Sequence, residues 1–105
     1  DREVMAQAGN RLGGIGGGAT MWQDGAEIGQ VHLPIAGLMS DRPAAEVAAE
    51  VQTILSGMQR CGCALNNAFM QHSLLALVVI PALRISDLGL VDVDQFALTD
   101  LFISE

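Results

Sequence analysis

Apolar residues recur at three- and four-residue steps through the first dozen positions. Val4, Met5, Ala8 and Leu12 fall on one stripe and predict a helix over residues 2–12, with Asp1 as its cap and Glu3 in its first turn. Gly13-Gly14 is expected to end it. The run Gly13-Gly14-Ile15-Gly16-Gly17-Gly18 then permits positive φ or close approach of another backbone. Two strand-like stretches follow, 18–24 and 27–33, joined by Asp24-Gly25, a strong hairpin turn signal. Trp22 anchors one face of the first arm. The clearest helical stripe is Val47, Val51, Ile54, Leu55 and Met58, running to about residue 59. Ser40 or Asp41 is its expected cap and Pro43 sits near its first position. Gly57 weakens its last turn and Gly62 lies just past its end.

Between hairpin and helix lies Leu33-Pro34-Ile35-Ala36-Gly37-Leu38-Met39-Ser40-Asp41. The run has neither period. It is apolar, with a proline and a glycine inside it, so a buried irregular connection with a specific hydrogen-bonding setting is expected. Residues 66–80 are too densely apolar for periodicity to decide. Asn66 or Asn67 as a cap favours a short buried helix over 68–77, whereas Val78-Val79-Ile80 favours a strand; helix is the preferred reading. Pro81 ends that element. A second hairpin over 83–86 and 90–93 turns at Asp87-Leu88-Gly89, and 96–103 adds a last extended segment. The pattern describes a small α+β domain, helices packed on a mostly antiparallel sheet in two layers, with α/β as the alternative.

Composition sharpens this picture. Of 105 residues, 50% are apolar and 16% charged, with a mean hydropathy of +0.38. Few charges cover a surface that is large for so small a domain, so part of the apolar exterior is expected to meet another domain or subunit. Twelve acidic residues stand against five arginines and no lysine, a net charge of −7. That balance argues against nucleic-acid binding, which relies on basic surface to meet phosphates, and equally against docking on anionic membranes. The longest apolar run, 74–80, is far short of the ~20 residues of a membrane span. Cys61 and Cys63 form a C-x-C without further ligands and are expected to be reduced thiols in a cytoplasmic setting. The chain opens without methionine, already in a helical pattern, which suggests a piece of a longer protein.

Candidate chemistry is sparse. The glycine run follows a helix and opens a strand, the reverse of a dinucleotide fingerprint, and a phosphate loop would need lysine. A structural turn is the favoured reading. A small-ligand cradle is the weaker one. His32 and His72 each stand alone, without H-x-H or H-x-x-x-H partners, and read as structural histidines. Ser40, Ser73 and Ser86 lack a nucleophile elbow. Asp92 and Asp94 read as a solvated turn, and Cys61 has no evident base. No catalytic set can be assembled.

Gly16-Gly17-Gly18, LPIAGLMSD over 33–41 and FMQHSLLALVVIPALRISDLGLVDVDQF over 69–96 together resemble the C-terminal domain of the bacterial adenine deaminase family, in the amidohydrolase superfamily. Ala8, Asn10 and Leu12 fit its opening pattern; Phe96 and Leu101-Phe102 fit its close. Gln71, His72, Leu74 and Val78 depart from it. The resemblance implies a parent hydrolase of purine metabolism that deaminates adenine to hypoxanthine and ammonia. Its divalent metal, manganese or iron, would sit in an upstream (β/α)₈ barrel absent here, and none would be bound by these residues. The implied task of this domain is to cover part of the barrel and shape the edge of the purine site, or to hold subunits of a homo-oligomer together. The substrate-side bets are Gly16, Gly17, Gly18, Leu38, Met39 and Ser40. The alternative is a free-standing interaction module that oligomerises through its apolar face, without enzymatic activity.

Overall fold

A computed structural model describes residues 1–102. The fold is α+β, with helices and two small antiparallel sheets. The chain divides into two compact units, residues 1–66 and 67–105.

The first unit is built on the hairpin of β1 (Gly18–Gln23) and β2 (Ala26–His32). Asp24 and Gly25 both take positive φ, as a two-residue turn between right-twisted strands requires. The register slips between Met21 and Trp22, so Ile28 is the extra residue of a β-bulge. One face of the hairpin carries Met21, Gly29 and Val31. It receives α2 (Ala44–Arg60), whose Ile54 lies against Gly29 and whose Gly57 lies against Met21 and Ile28. Val31 and Ile54 are the most deeply buried large side chains, 1% and 2% exposed. Gly57 therefore does more than weaken a turn: it lets the Met21 thioether and Ile28 settle against the helix backbone. The opposite face carries Thr20, Trp22 and Glu27. With Val4, Met5 and Ala8 of α1 (Arg2–Ile15), it bounds an open groove of about 690 Å³. The Arg11 guanidinium reaches the Glu27 carboxylate at 3.3 Å.

Helix ends depart from the sequence expectation in two places. α1 runs through Gly13 and Gly14 to Ile15, because glycine inside a helix costs only about 1 kcal/mol and the left-handed cap falls to Gly16, φ 81°. Asp1 caps its start as expected, accepting from the Glu3 and Val4 amides. α2 begins later than Ser40 or Asp41 would place it. Pro43 is its cap residue, and no side chain bonds its first amides. Its C-terminus closes through Gly62 and Cys63 amides donating to the Gln59 and Met58 carbonyls, a Schellman arrangement.

The second unit begins with α3 (Ala68–Ser73), continued by a 3₁₀ turn over Leu74–Ala76. Helix is thus the state of 68–76, but it is not buried: Met70 and Leu75 stand in solvent and Ala68 alone of its residues is buried, and Val78-Val79-Ile80 pairs with no strand among the described residues. β3 (Leu83–Ser86), β4 (Gly89–Asp92) and the two-residue β5 (Ala97–Leu98) form an antiparallel sheet in that order. The Ser86 hydroxyl shapes the turn by accepting from the Leu88 amide and donating to the Gly89 carbonyl. Asp92, half-buried at the end of β4, accepts from the Gln95 backbone and side-chain amides, and of the two aspartates expected in a solvated turn Asp94 is the one that lies exposed in it. Of the expected extended segment 96–103, β5 is realised, and residue 103 lies outside the described residues. Ala68 and Val93 are buried here.

Candidate functional site

The glycine run and the 33–41 loop, far apart in sequence, meet in the first unit. The Leu33 amide donates to the Gly17 carbonyl at 3.1 Å. A Cβ on Gly17 would sit 2.9 Å from the Gly37 Cα, and one on Gly18 would overlap the Val31 carbonyl. Both glycines have strongly positive φ, 122° and 138°. These two positions need glycine for backbone contact, which is the structural reading of the run. Gly16 serves as the helix cap.

The loop itself is irregular, as its sequence predicts, but it is not buried. Leu38 is 77% exposed and Met39 58% exposed, with Ile35 beside them also in solvent. The expectation of burial fails because the loop satisfies its own backbone. Ala36 and Gly37 both take left-handed φ, 56° and 71°, turning the chain so that the Leu38 and Met39 amides donate to the Ile35 carbonyl. The Ile35 amide in turn donates to the Met39 carbonyl at 3.1 Å. Polar groups closed locally need no surrounding protein, so the side chains stand free. Alanine in the left-handed region is uncommon and marks a backbone held by its context. Ser40 is not a helix cap; its Oγ accepts from the Arg42 amide at 3.2 Å and closes the loop's last turn.

Beneath the loop lies a polar network that sequence inspection does not reveal. Glu50 of α2 uses one carboxylate oxygen, Oε2, to accept from the His32 amide at 3.1 Å and from Arg42 Nη2 at 2.5 Å. His32 precedes the loop and Arg42 follows it. The His32 ring points the other way, its Nε2 donating to the Ile15 carbonyl at the end of α1 at 2.9 Å. The Arg42 guanidinium holds the Glu50 carboxyl below the usual carboxylate range, and the His32 amide adds to this, against the opposing effect of partial burial. The one available signal for this network is the i, i+8 spacing of Arg42 and Glu50, and only the bend before α2 makes that spacing meaningful.

His72 lies exposed in the second unit, and Cys61 and Cys63 are free thiols. Among the described residues no group of three or more His, Cys, Asp or Glu is placed to hold a metal ion. His32 and Glu50, neighbours through the His32 amide, do not converge as ligands: the His32 ring bonds the Ile15 carbonyl, and Glu50 bonds Arg42 and a backbone amide. This set does not fit a divalent metal. No helix of the described residues is long and apolar enough to cross a membrane.

The family described as the adenine deaminase C-terminal domain matches residues 1–97. The chain belongs to this family. It is 68% identical over 103 residues to an adenine deaminase of Paracoccus denitrificans, covering 98% of this chain and 17% of that protein. It is 69% identical over 99 residues to adenine deaminase 1 of a Jannaschia species, covering 94% of this chain and again 17% of the relative. Identity to the adenine deaminase of Moorella thermoacetica is 50% over 97 residues, 92% of this chain and 16% of that protein. This adenine deaminase C-terminal domain therefore spans about one-sixth of the length of the curated relatives it matches. No solved structure matches it. The glycine contact, the self-closed loop and the Glu50 network are thus features of a domain whose relatives are much larger proteins.

Proposed function

We propose that this domain is the non-catalytic C-terminal part of an enzyme that hydrolyses adenine to hypoxanthine and ammonia in purine salvage. Its task is to cover the upstream catalytic barrel and shape the edge of the purine site. The observation that carries this reading is the apolar tip Leu38-Met39, exposed to solvent on a loop whose backbone is closed and whose base is braced. Large side chains held out in this way are suited to a partner surface. Gly17 and Gly18 let the end of α1 and the start of β1 pack against the loop's backbone, Gly16 caps the helix beside them, and Ser40 sits at the loop's trailing edge. The divalent metal of the reaction, manganese or iron, belongs to the barrel. The enzyme works in the cytoplasm as a homo-oligomer, and other exposed apolar residues, among them Phe96, Leu101 and Phe102, supply contact area for assembly.

The test is a full-length parent enzyme carrying Met39→Asp and Ser40→Ala together. A fall in kcat/KM for adenine of about tenfold or more is expected, the cost of one misplaced contact near ~1.4 kcal/mol. Unchanged kinetics would remove the loop from the purine site. A gene in which these residues stand as a short separate protein, sedimenting as a symmetric oligomer, would establish the interaction module instead.

A further inference from the structure

We infer that Glu50 is the positioning residue for the Leu38-Met39 tip, a single carboxylate that ties together both ends of the loop presenting it. Three observations carry this. Oε2 of Glu50 accepts from the amide of His32, the last residue before the loop, and from the guanidinium of Arg42, the first residue beyond it. The carboxylate comes from the middle of α2, whose Ile54, one helical turn further on, is locked against Gly29 in the core. The loop has few other ties to the body of the unit: the Leu33 amide on the Gly17 carbonyl and the close Gly17–Gly37 backbone contact fix its first half. Its second half, from Leu38 onward, is bonded to Ile35 of the first half and reaches α2 through Arg42. Without the Glu50–Arg42 bond the trailing strand keeps the Ile35 bonds and the internal bond between Ser40 and Arg42, and loses its side-chain tie to α2. Loop closure over so few residues is entropically cheap to keep when both ends are pinned, and the tip gains alternative conformations when one is freed.

This inference rests on the proposed role of the tip at the barrel, and its experiment separates the two. In the full-length parent enzyme, amide hydrogen exchange is followed at Leu38 and Met39, whose amides bond within the loop, and at the hairpin and α2 as internal controls. Glu50→Gln is the first variant. Arg42→Gln is the second and breaks the same bond from the other side while leaving the His32 amide bonded to Glu50. Each is expected to accelerate exchange at Leu38 and Met39 by about tenfold, the loss of one charge-assisted hydrogen bond, with β1, β2 and α2 unchanged. Arg42→Lys, which keeps the charge, is expected to restore part of the protection. Kinetics with adenine are expected to show a raised KM with kcat less affected, since a mobile tip weakens the shaped site more than it alters the reacting groups. Exchange at the tip that stays at the wild-type rate in both variants would overturn the positioning role. So would acceleration spread evenly over hairpin and helix, which would make Glu50 a general stabiliser. Faster tip exchange with unchanged kinetics would uphold the positioning role and overturn the tip's place at the purine site.

Discussion

Single residues in this chain act through backbone geometry as much as through side chains, and the glycine run shows it. Gly13 and Gly14 are helical, with open space where a Cβ would be built. Gly13→Ala and Gly14→Ala are each expected to stabilise the protein by about 0.5–1 kcal/mol, because alanine is the better helix former. Four residues on, Gly18→Ala is expected to cost about 3 kcal/mol or more, since its Cβ meets a backbone carbonyl and its φ excludes side chains. Denaturant unfolding of the three variants checks the opposite signs within one short run. The sequence marks all these glycines alike. Which are helical and which lie against Leu33 and Gly37 depends on where the helix ends and what packs on it.

Glu50 shows the same dependence with charge. Its folded pKa lies below that of an unfolded glutamate, near ~4.3, because Arg42 and the His32 amide stabilise the carboxylate. The stability it contributes is therefore fully present above that unfolded value and is lost as pH falls through the depressed folded value. The Glu46 and Asp41 carboxylates also favour the charged form of Arg42. Wild type is expected to lose stability more steeply than Glu50→Gln as pH is lowered below about 4.5, and the two are expected to converge at the acid end. Thermal unfolding across that range measures it. Convergence failing to occur would assign the acid loss to other carboxylates.

At the scale of elements, α2 carries the first unit. Its stripe was legible from spacing, and Ile54 is the member of it that reaches the core, against Gly29 of β2. Ile54→Ala is expected to cost about 2–4 kcal/mol, from lost burial and a cavity that a two-strand hairpin cannot refill. The truncation of half-buried Val47 to alanine, near the start of the stripe, is expected to cost less, about 1 kcal/mol. Denaturant midpoints at constant m distinguish the two. Both hairpins were legible because each has its turn chemistry, Asp24-Gly25 and Asp87-Leu88-Gly89, between runs of strand-forming residues. The start of α2 was misplaced because Ser40 resembles a cap in sequence, whereas its hydroxyl serves the loop's closing turn. The bulge at Ile28 is marked in sequence only by Gly29 beside it, a strand-interior glycine, and in the structure Met21 and Ile28 both lie against Gly57.

At the scale of the molecule, the surface is the informative feature. Many large apolar residues lie in solvent, in the 33–41 tip and again in β3 at Leu83 and Ile85, while the charge that would normally cover them is scarce. The relatives are about six times longer, and such a surface suits a domain that works against other protein. The 105-residue chain alone is expected to show no turnover of adenine when assayed with added manganese or iron. Measurable deamination by the pure chain would overturn its proposed non-catalytic role.

The sequence by itself determined the two hairpins, the stripes of α1 and α2, their order and the family, because periodicity, turn chemistry and motif order are local properties of the chain. Only the tertiary structure decided that the glycine run touches the 33–41 loop, that this apolar loop stands exposed, and that Glu50 grips both of its ends. Those facts join residues separated by many positions. They depend on the angle at which α1 and α2 meet the hairpin, and no local spacing encodes that angle.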